Sequence, residues 1–95
     1  MEGALWHLLA SSRGAPTRVR IVRALEERPR NPNQLADALD VDYTTIRHHL
    51  DVMTENGIVE SSGDDYGAVY LLTDRVEAHR ETLEEILDTV DTEDS

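Results

Sequence analysis

Apolar residues recur at helical spacing along most of this chain, and Pro, Gly and capping residues mark the breaks. Leu5, Trp6, Leu8 and Leu9 give residues 3–12 a wide apolar face, which predicts a short helix. Arg13-Gly14-Ala15 ends it. Pro16 predicts the start of a second helix, because its missing N–H costs nothing at the first position. Ile21, Val22 and Leu25 form the predicted buried stripe, and Pro29 closes the segment. Asn31-Pro32-Asn33-Gln34 is a dense start signal: an N-cap, a first-turn proline and a capping-box partner three residues on. It opens a third helix from Pro32 to Leu39, with Leu35, Ala36 and Leu39 inward. Asp40-Val41 reads as a turn. Asp42 then caps a fourth helix over residues 43–56, with Ile46, Leu50 and Met53 as its core stripe. Gly57 predicts a left-handed stop.

The periodicity then changes. Ile58 to Ser61 and Ala68 to Leu72 read as two strands, joined by Ser62-Gly63-Asp64-Asp65-Tyr66-Gly67, a run of turn residues. Thr73 caps a last helix over residues 74–90, followed by a solvated tail. Val76, Leu83 and Val90 are seven apart, with Ile86 and Leu87 between them, which is a coiled-coil-like seam. In so small a domain such a seam predicts a second copy as its partner. The expected dimer interface pairs the terminal helices, 3–12 and 74–90, through Leu5, Trp6, Leu9, Val76, Leu83, Leu87 and Val90.

The predicted class is mainly α with a small β-hairpin, in the order α-α-α-α-β-β-α, as one domain over residues 1–95. Two short helices joined by a tight turn make a helix-turn-helix, and the hairpin adds a wing. Four stretches carry a resemblance: Thr17 to Leu25, Asn33 to Leu39, Tyr43 to Leu50 and Glu55 to Glu60. In order and spacing, from about residue 16 to residue 73, the chain resembles the ArsR-type winged helix-turn-helix regulators. That resemblance implies a homodimeric, DNA-binding transcriptional regulator with double-stranded DNA as its partner.

The residues support the same face. At about 100° per residue, Thr44 and His48 lie nearly opposite the Ile46–Leu50–Met53 stripe, with Thr45 and Arg47 on the flanks. The first half of a recognition helix is the part that reaches base edges. Arg donates two bonds to guanine, Thr offers a hydroxyl or a methyl, and His bonds a base or a phosphate. The N–H groups near Tyr43 and Thr44 suit a phosphate. Tyr43 suits packing on the hairpin equally well. His49 is closer to the core stripe and is expected to be a structural, hydrogen-bonded histidine. Arg28 and Arg30 precede the third helix and suit phosphate contact or plain solvation. The expected DNA-binding set is Tyr43, Thr44, Thr45, Arg47, His48, Arg28 and Arg30. Asp51 and Glu55 lie further along the outward face, so DNA should meet only the first two turns. The wing tip, Asp64-Asp65, carries no Arg, which puts wing contact in doubt unless Tyr66 or backbone N–H groups supply it.

Charge sharpens this picture. Nine basic residues, all Arg, face 20 acidic ones, for a net charge of −11. The deficit is confined to residues 51–95, so a polyanion-binding surface has to come from the first half. Abundant carboxylates without Lys resemble the surfaces of proteins from salt-in halophiles. At about 1 M salt the screening length is only ~3 Å, and long-range repulsion from DNA nearly vanishes.

The chain has no cysteine, which excludes thiolate metal sites and cysteine nucleophiles. Among ArsR relatives a second metal site lies between the last helices. Glu77-x-His79 resembles its first half, but Val90 and Glu93 stand where the resemblance would require His. No metal or cofactor is expected. There is no paired-carboxylate context, nucleophile elbow or phosphate loop, so no enzyme is expected either. No apolar run spans a membrane and no signal-peptide pattern opens the chain, which predicts a cytoplasmic protein. The competing reading is a winged-helix protein-interaction module using the acidic hairpin and last helix. The polar face of Thr44, Thr45, Arg47 and His48 argues for DNA, because a pure adaptor has no need of it.

Overall fold

A computed structural model describes residues 1–63 and 68–94, with side chains through Val90. Helix α1 (Glu2–Trp6) runs directly into a π-helical turn (His7–Ser11). Together they bury Leu5, Leu8 and Leu9, as their spacing predicts. Ser12 turns the chain into extended backbone, and Gly14 caps α2 (Ala15–Glu27), which carries Pro16 in its first turn. Helix α2 buries more than the predicted stripe. Val19 and Ala24 join Ile21, Val22 and Leu25, because neighbours pack on several sides of this helix.

Helix α3 (Pro32–Leu39) starts on the predicted reciprocal cap. The Asn31 side chain accepts from the Gln34 N–H at 2.8 Å, and the Gln34 side chain accepts from the Asn31 N–H at 2.9 Å. Asp40 makes the turn in the left-handed region, at φ 55°. Arg20 reaches across from α2 and donates to the Leu39 carbonyl at 2.6 Å, closing the end of α3. Asp42 caps α4 (Tyr43–Glu55) by accepting from the Thr44 N–H at 3.0 Å. Gly57, at φ 74°, ends α4 as expected.

Strands β1 (Val59–Ser62) and β2 (Val69–Leu72) form an antiparallel hairpin in which Val59 faces Leu72 and Ser62 faces Val69. Each begins one residue later than predicted. The expected tip residues Asp64, Asp65 and Tyr66 lie outside the described residues. The hairpin gains a third partner. Arg30 and Tyr70 exchange backbone hydrogen bonds at 3.2 and 2.8 Å, which ties β2 to the segment ahead of α3.

The predicted single last helix is two helices, α5 (Asp74–Ala78) and α6 (Arg80–Asp94). Thr73 caps α5 as expected and also donates to the Gly57 carbonyl at 2.6 Å. The break is at His79, whose N–H bonds the Val76 carbonyl. Arg80 then clamps the start of α6 to Glu77 of α5 and Glu26 of α2. The two carboxylates hold the Arg80 guanidinium above its ordinary range.

This arrangement changes the reading of the heptad seam. Leu5, Leu9, Val76 and Leu83 have no exposed surface, and Leu87 is nearly buried, all in the core of one chain. They pack with Ile46, Leu50, Met53 and Ile58 in one cluster. Only Trp6 and Val90 of the expected interface set remain half-buried at its edge. Seven-residue spacing marks a buried stripe here, and α1 and the π-turn supply the apolar partner that the sequence pattern assigned to a second copy. Leu83→Ala is therefore expected to cost about 2–5 kcal/mol of monomer stability, measured by urea denaturation. A loss confined to self-association, with unfolding unchanged, would return Leu83 to an interface.

Candidate nucleic-acid interface

The inner side of α4 is spent on the core through Ile46, Leu50 and Met53. Its other side is open over the first two turns, where Tyr43, Thr44, Thr45 and His48 are exposed. Among the described residues, Tyr43 is the exposed large hydrophobic side chain, at 47%. Asp51 and Glu55 are exposed further along the helix. The helix thus presents a carboxylate-free first half and an acidic second half to solvent.

Arg47 points elsewhere. Its Nη1 donates to the Tyr70 hydroxyl at 3.3 Å, across to β2 of the hairpin. Its Nη2 lies 3.9 Å from the Asp51 carboxylate, a loose and solvent-exposed pair. The guanidinium sits in a cleft of about 330 Å³ between the start of α3, helix α4 and the hairpin. Of the expected phosphate contacts, Arg28 is exposed. Arg30 is engaged within the fold. Its Nε donates to the Ala24 carbonyl at 3.2 Å and its Nη2 to Glu27 at 3.0 Å, leaving the side chain 12% exposed.

Beneath α4 lies a buried polar cluster. His49 is buried, as its position nearer the core stripe predicts. Its Nδ1 has no hydrogen-bond partner among the described residues. Arg18 of α2 is buried beside it. Its Nη1 donates to the Leu8 carbonyl at 3.1 Å and to the Ser12 hydroxyl at 2.6 Å. Gly14 makes this packing feasible, because a Cβ there would come within 2.6 Å of His49 Cε1 and 2.9 Å of Arg18 Nη2. Arg18 went unnoticed in the sequence, although Arg18, Ile21, Val22 and Leu25 share one helical face at spacings of three, four and seven. Tyr70 was also missed, and its sequence context of Val69, Leu71 and Leu72 gives no polar signal.

Burial lowers the His49 imidazole below the ordinary histidine range, and the Arg18 and His48 charges add to this. The folded domain therefore resists a proton that the unfolded chain accepts. Stability falls as pH drops below about 6.5 and is restored above it. Among the described residues, no group of three or more His, Cys, Asp or Glu is placed to hold a metal ion. None of the described helices is long and apolar enough to cross a membrane.

The helix-turn-helix and the first hairpin strand, residues 15–61, match the family model described as bacterial regulatory protein, arsR family. The chain has a winged helix-turn-helix fold, and its segment 15–61 is similar to the arsR family. The same fold is found in the transcriptional repressor BigR from Xylella fastidiosa, at 23% identity and a TM-score of 0.68, covering 88% of this chain and 74% of that one. The transcriptional regulator BldR from Sulfolobus solfataricus superposes at a TM-score of 0.70 with 19% identity, over 96% of this chain and 68% of that one. A transcriptional regulator from Thermotoga maritima gives 0.67 at 17% identity, over 97% and 68%. No curated protein matches the sequence significantly.

The buried histidine of this winged helix-turn-helix yields a direct test. Urea unfolding followed between about pH 7.5 and pH 5.5 should show a falling midpoint, with a slope of at most about 1.4 kcal/mol per pH unit from one group. His49→Gln should flatten the dependence. An unchanged slope in that variant would assign the effect to another group.

Proposed function

We propose that this chain is a sequence-specific DNA-binding transcriptional regulator that acts in the cytoplasm as a homodimer, with α4 in the major groove. The observation that carries the reading is the open first half of α4 in an ArsR-type helix-turn-helix: Tyr43, Thr44, Thr45 and His48 are exposed while the inner side of the same helix is buried. Thr and His side chains on such a face can discriminate base edges. Arg47 of α4 and the exposed Arg28 add positive charge to a half of the chain that is otherwise close to neutral. Arg30 contributes less than the sequence suggested, since its side chain is tied to α2.

The dimer surface narrows to what α1 and α6 leave uncovered. Half-buried Trp6 and Val90 are the apolar residues of the expected set that a second copy can still reach. Trp6→Asp should weaken self-association while leaving the fold cooperative, as read by light scattering and thermal unfolding together. A variant with unchanged mass at every concentration would remove Trp6 from the interface.

The acidic surface sets the conditions of the DNA test. At about 1 M KCl the screening length is ~3 Å, so repulsion between the acidic second half and phosphates is confined to contact distance. Fluorescence anisotropy in molar KCl compares the duplex upstream of the protein's own gene with a shuffled control. Tighter binding to the native duplex is expected. His48→Ala and Thr44→Ala should each remove about 1–3 kcal/mol of that preference. Equal binding to both duplexes, repeated with duplexes selected from a random pool, would overturn the DNA reading in favour of a protein-interaction module.

A further inference from the structure

The cleft beside α4 stands apart in a chain with 20 acidic residues. Asn31, Asn33, Tyr43, Arg47, Ser61 and Tyr70 line it, and no carboxylate does so among the described residues. All of these polar side chains can donate a hydrogen bond, and Pro32 and Ala68 complete the lining. The Asn31 side-chain oxygen is taken by the Gln34 N–H, which leaves its amide group to donate. The Tyr70 hydroxyl accepts from Arg47, which leaves its own proton for a further acceptor. The rest of Tyr70 is nearly buried, and its backbone is locked to Arg30 by two hydrogen bonds, so the hydroxyl is a fixed point.

We propose that this cleft takes a backbone phosphate of the bound DNA, with Arg47 as the phosphate contact and Tyr70 as its positioning residue. The inference rests on the DNA-binding reading above and changes the role of Arg47 within it. An arginine that reads guanine has to extend its fork to the base edge. The Arg47 fork is drawn sideways to the hairpin instead, toward a donor-lined space that suits a tetrahedral anion. The loose 3.9 Å approach of Asp51 yields readily to a phosphate, which offers Arg shorter charge-assisted bonds. The wing then contributes through its strands, by way of the paired Tyr70 and Ser61, and does not depend on its acidic tip.

The two roles of Arg47 separate in a salt titration. Wild type, Arg47→Ala, Tyr70→Phe and the double variant are compared on a duplex selected by the wild-type protein and on its shuffled counterpart, from about 0.1 to about 1 M KCl. Arg47→Ala is expected to weaken both duplexes by the same factor, roughly tenfold, and to lower the salt slope by about one. Tyr70→Phe should weaken both by roughly threefold to fivefold, and that effect should vanish in the Arg47→Ala background. A loss confined to the selected duplex would make Arg47 a base contact and overturn the proposal. A Tyr70→Phe effect that persists without Arg47 would reduce Tyr70 to a structural residue, and the cooperative melt of each variant guards against misfolding as its cause. Wild-type protein that selects no duplex would defeat the DNA reading itself, an outcome distinct from either.

Discussion

Everything exposed on α4 follows from what its inner side must bury. Ile46, Leu50 and Met53 are fully enclosed, and an amphipathic helix of thirteen residues has only one orientation that achieves this. Fixing that side fixes the other. Thr44, Thr45 and His48 face water because the core has claimed the opposite stripe. The caps at Asp42 and Gly57 set where the helix starts and stops, and so which residues form the open first half.

The same core shapes both ends of the chain. The π-turn after α1 and the break at His79 are departures from regular helix, and both flank segments that deliver leucines inward. A domain of 95 residues has little apolar surface to spare. Drawing both terminal segments into one core leaves Trp6 and Val90 of those segments half-buried at its edge.

Polar groups inside this core are few and closely coupled. Arg18 anchors the end of the π-turn through the Leu8 carbonyl and Ser12, and its charge bears on His49 of α4. A proton on His49 would add a second positive charge to a space that holds no described carboxylate partner for the first. Such charges are costly away from water. The fold of α4 is thereby linked to pH through a side chain that does not itself face outward.

Local signals alone determined much of this molecule. The reciprocal Asn31–Gln34 cap, the Asp42 cap and the Gly57 stop involve residues within a few positions of one another, so spacing reveals them. The stripes of α3 and α4, the hairpin and the open Thr44–His48 face follow from periodicity in the same way. What the sequence left undecided depends on residues distant along the chain. The heptad-like spacing of Val76 and Leu83 does not by itself say what covers them, and in the folded chain both are enclosed in its own core. Arg30 exchanges backbone hydrogen bonds with Tyr70, far along the chain, and no local pattern announces that bridge. Arg47 and Tyr70 are 23 positions apart, and their hydrogen bond exists because hairpin and helix meet across the cleft. Local periodicity specifies which side of each element is apolar, whereas the choice among apolar partners and the direction of long side chains belong to the tertiary structure.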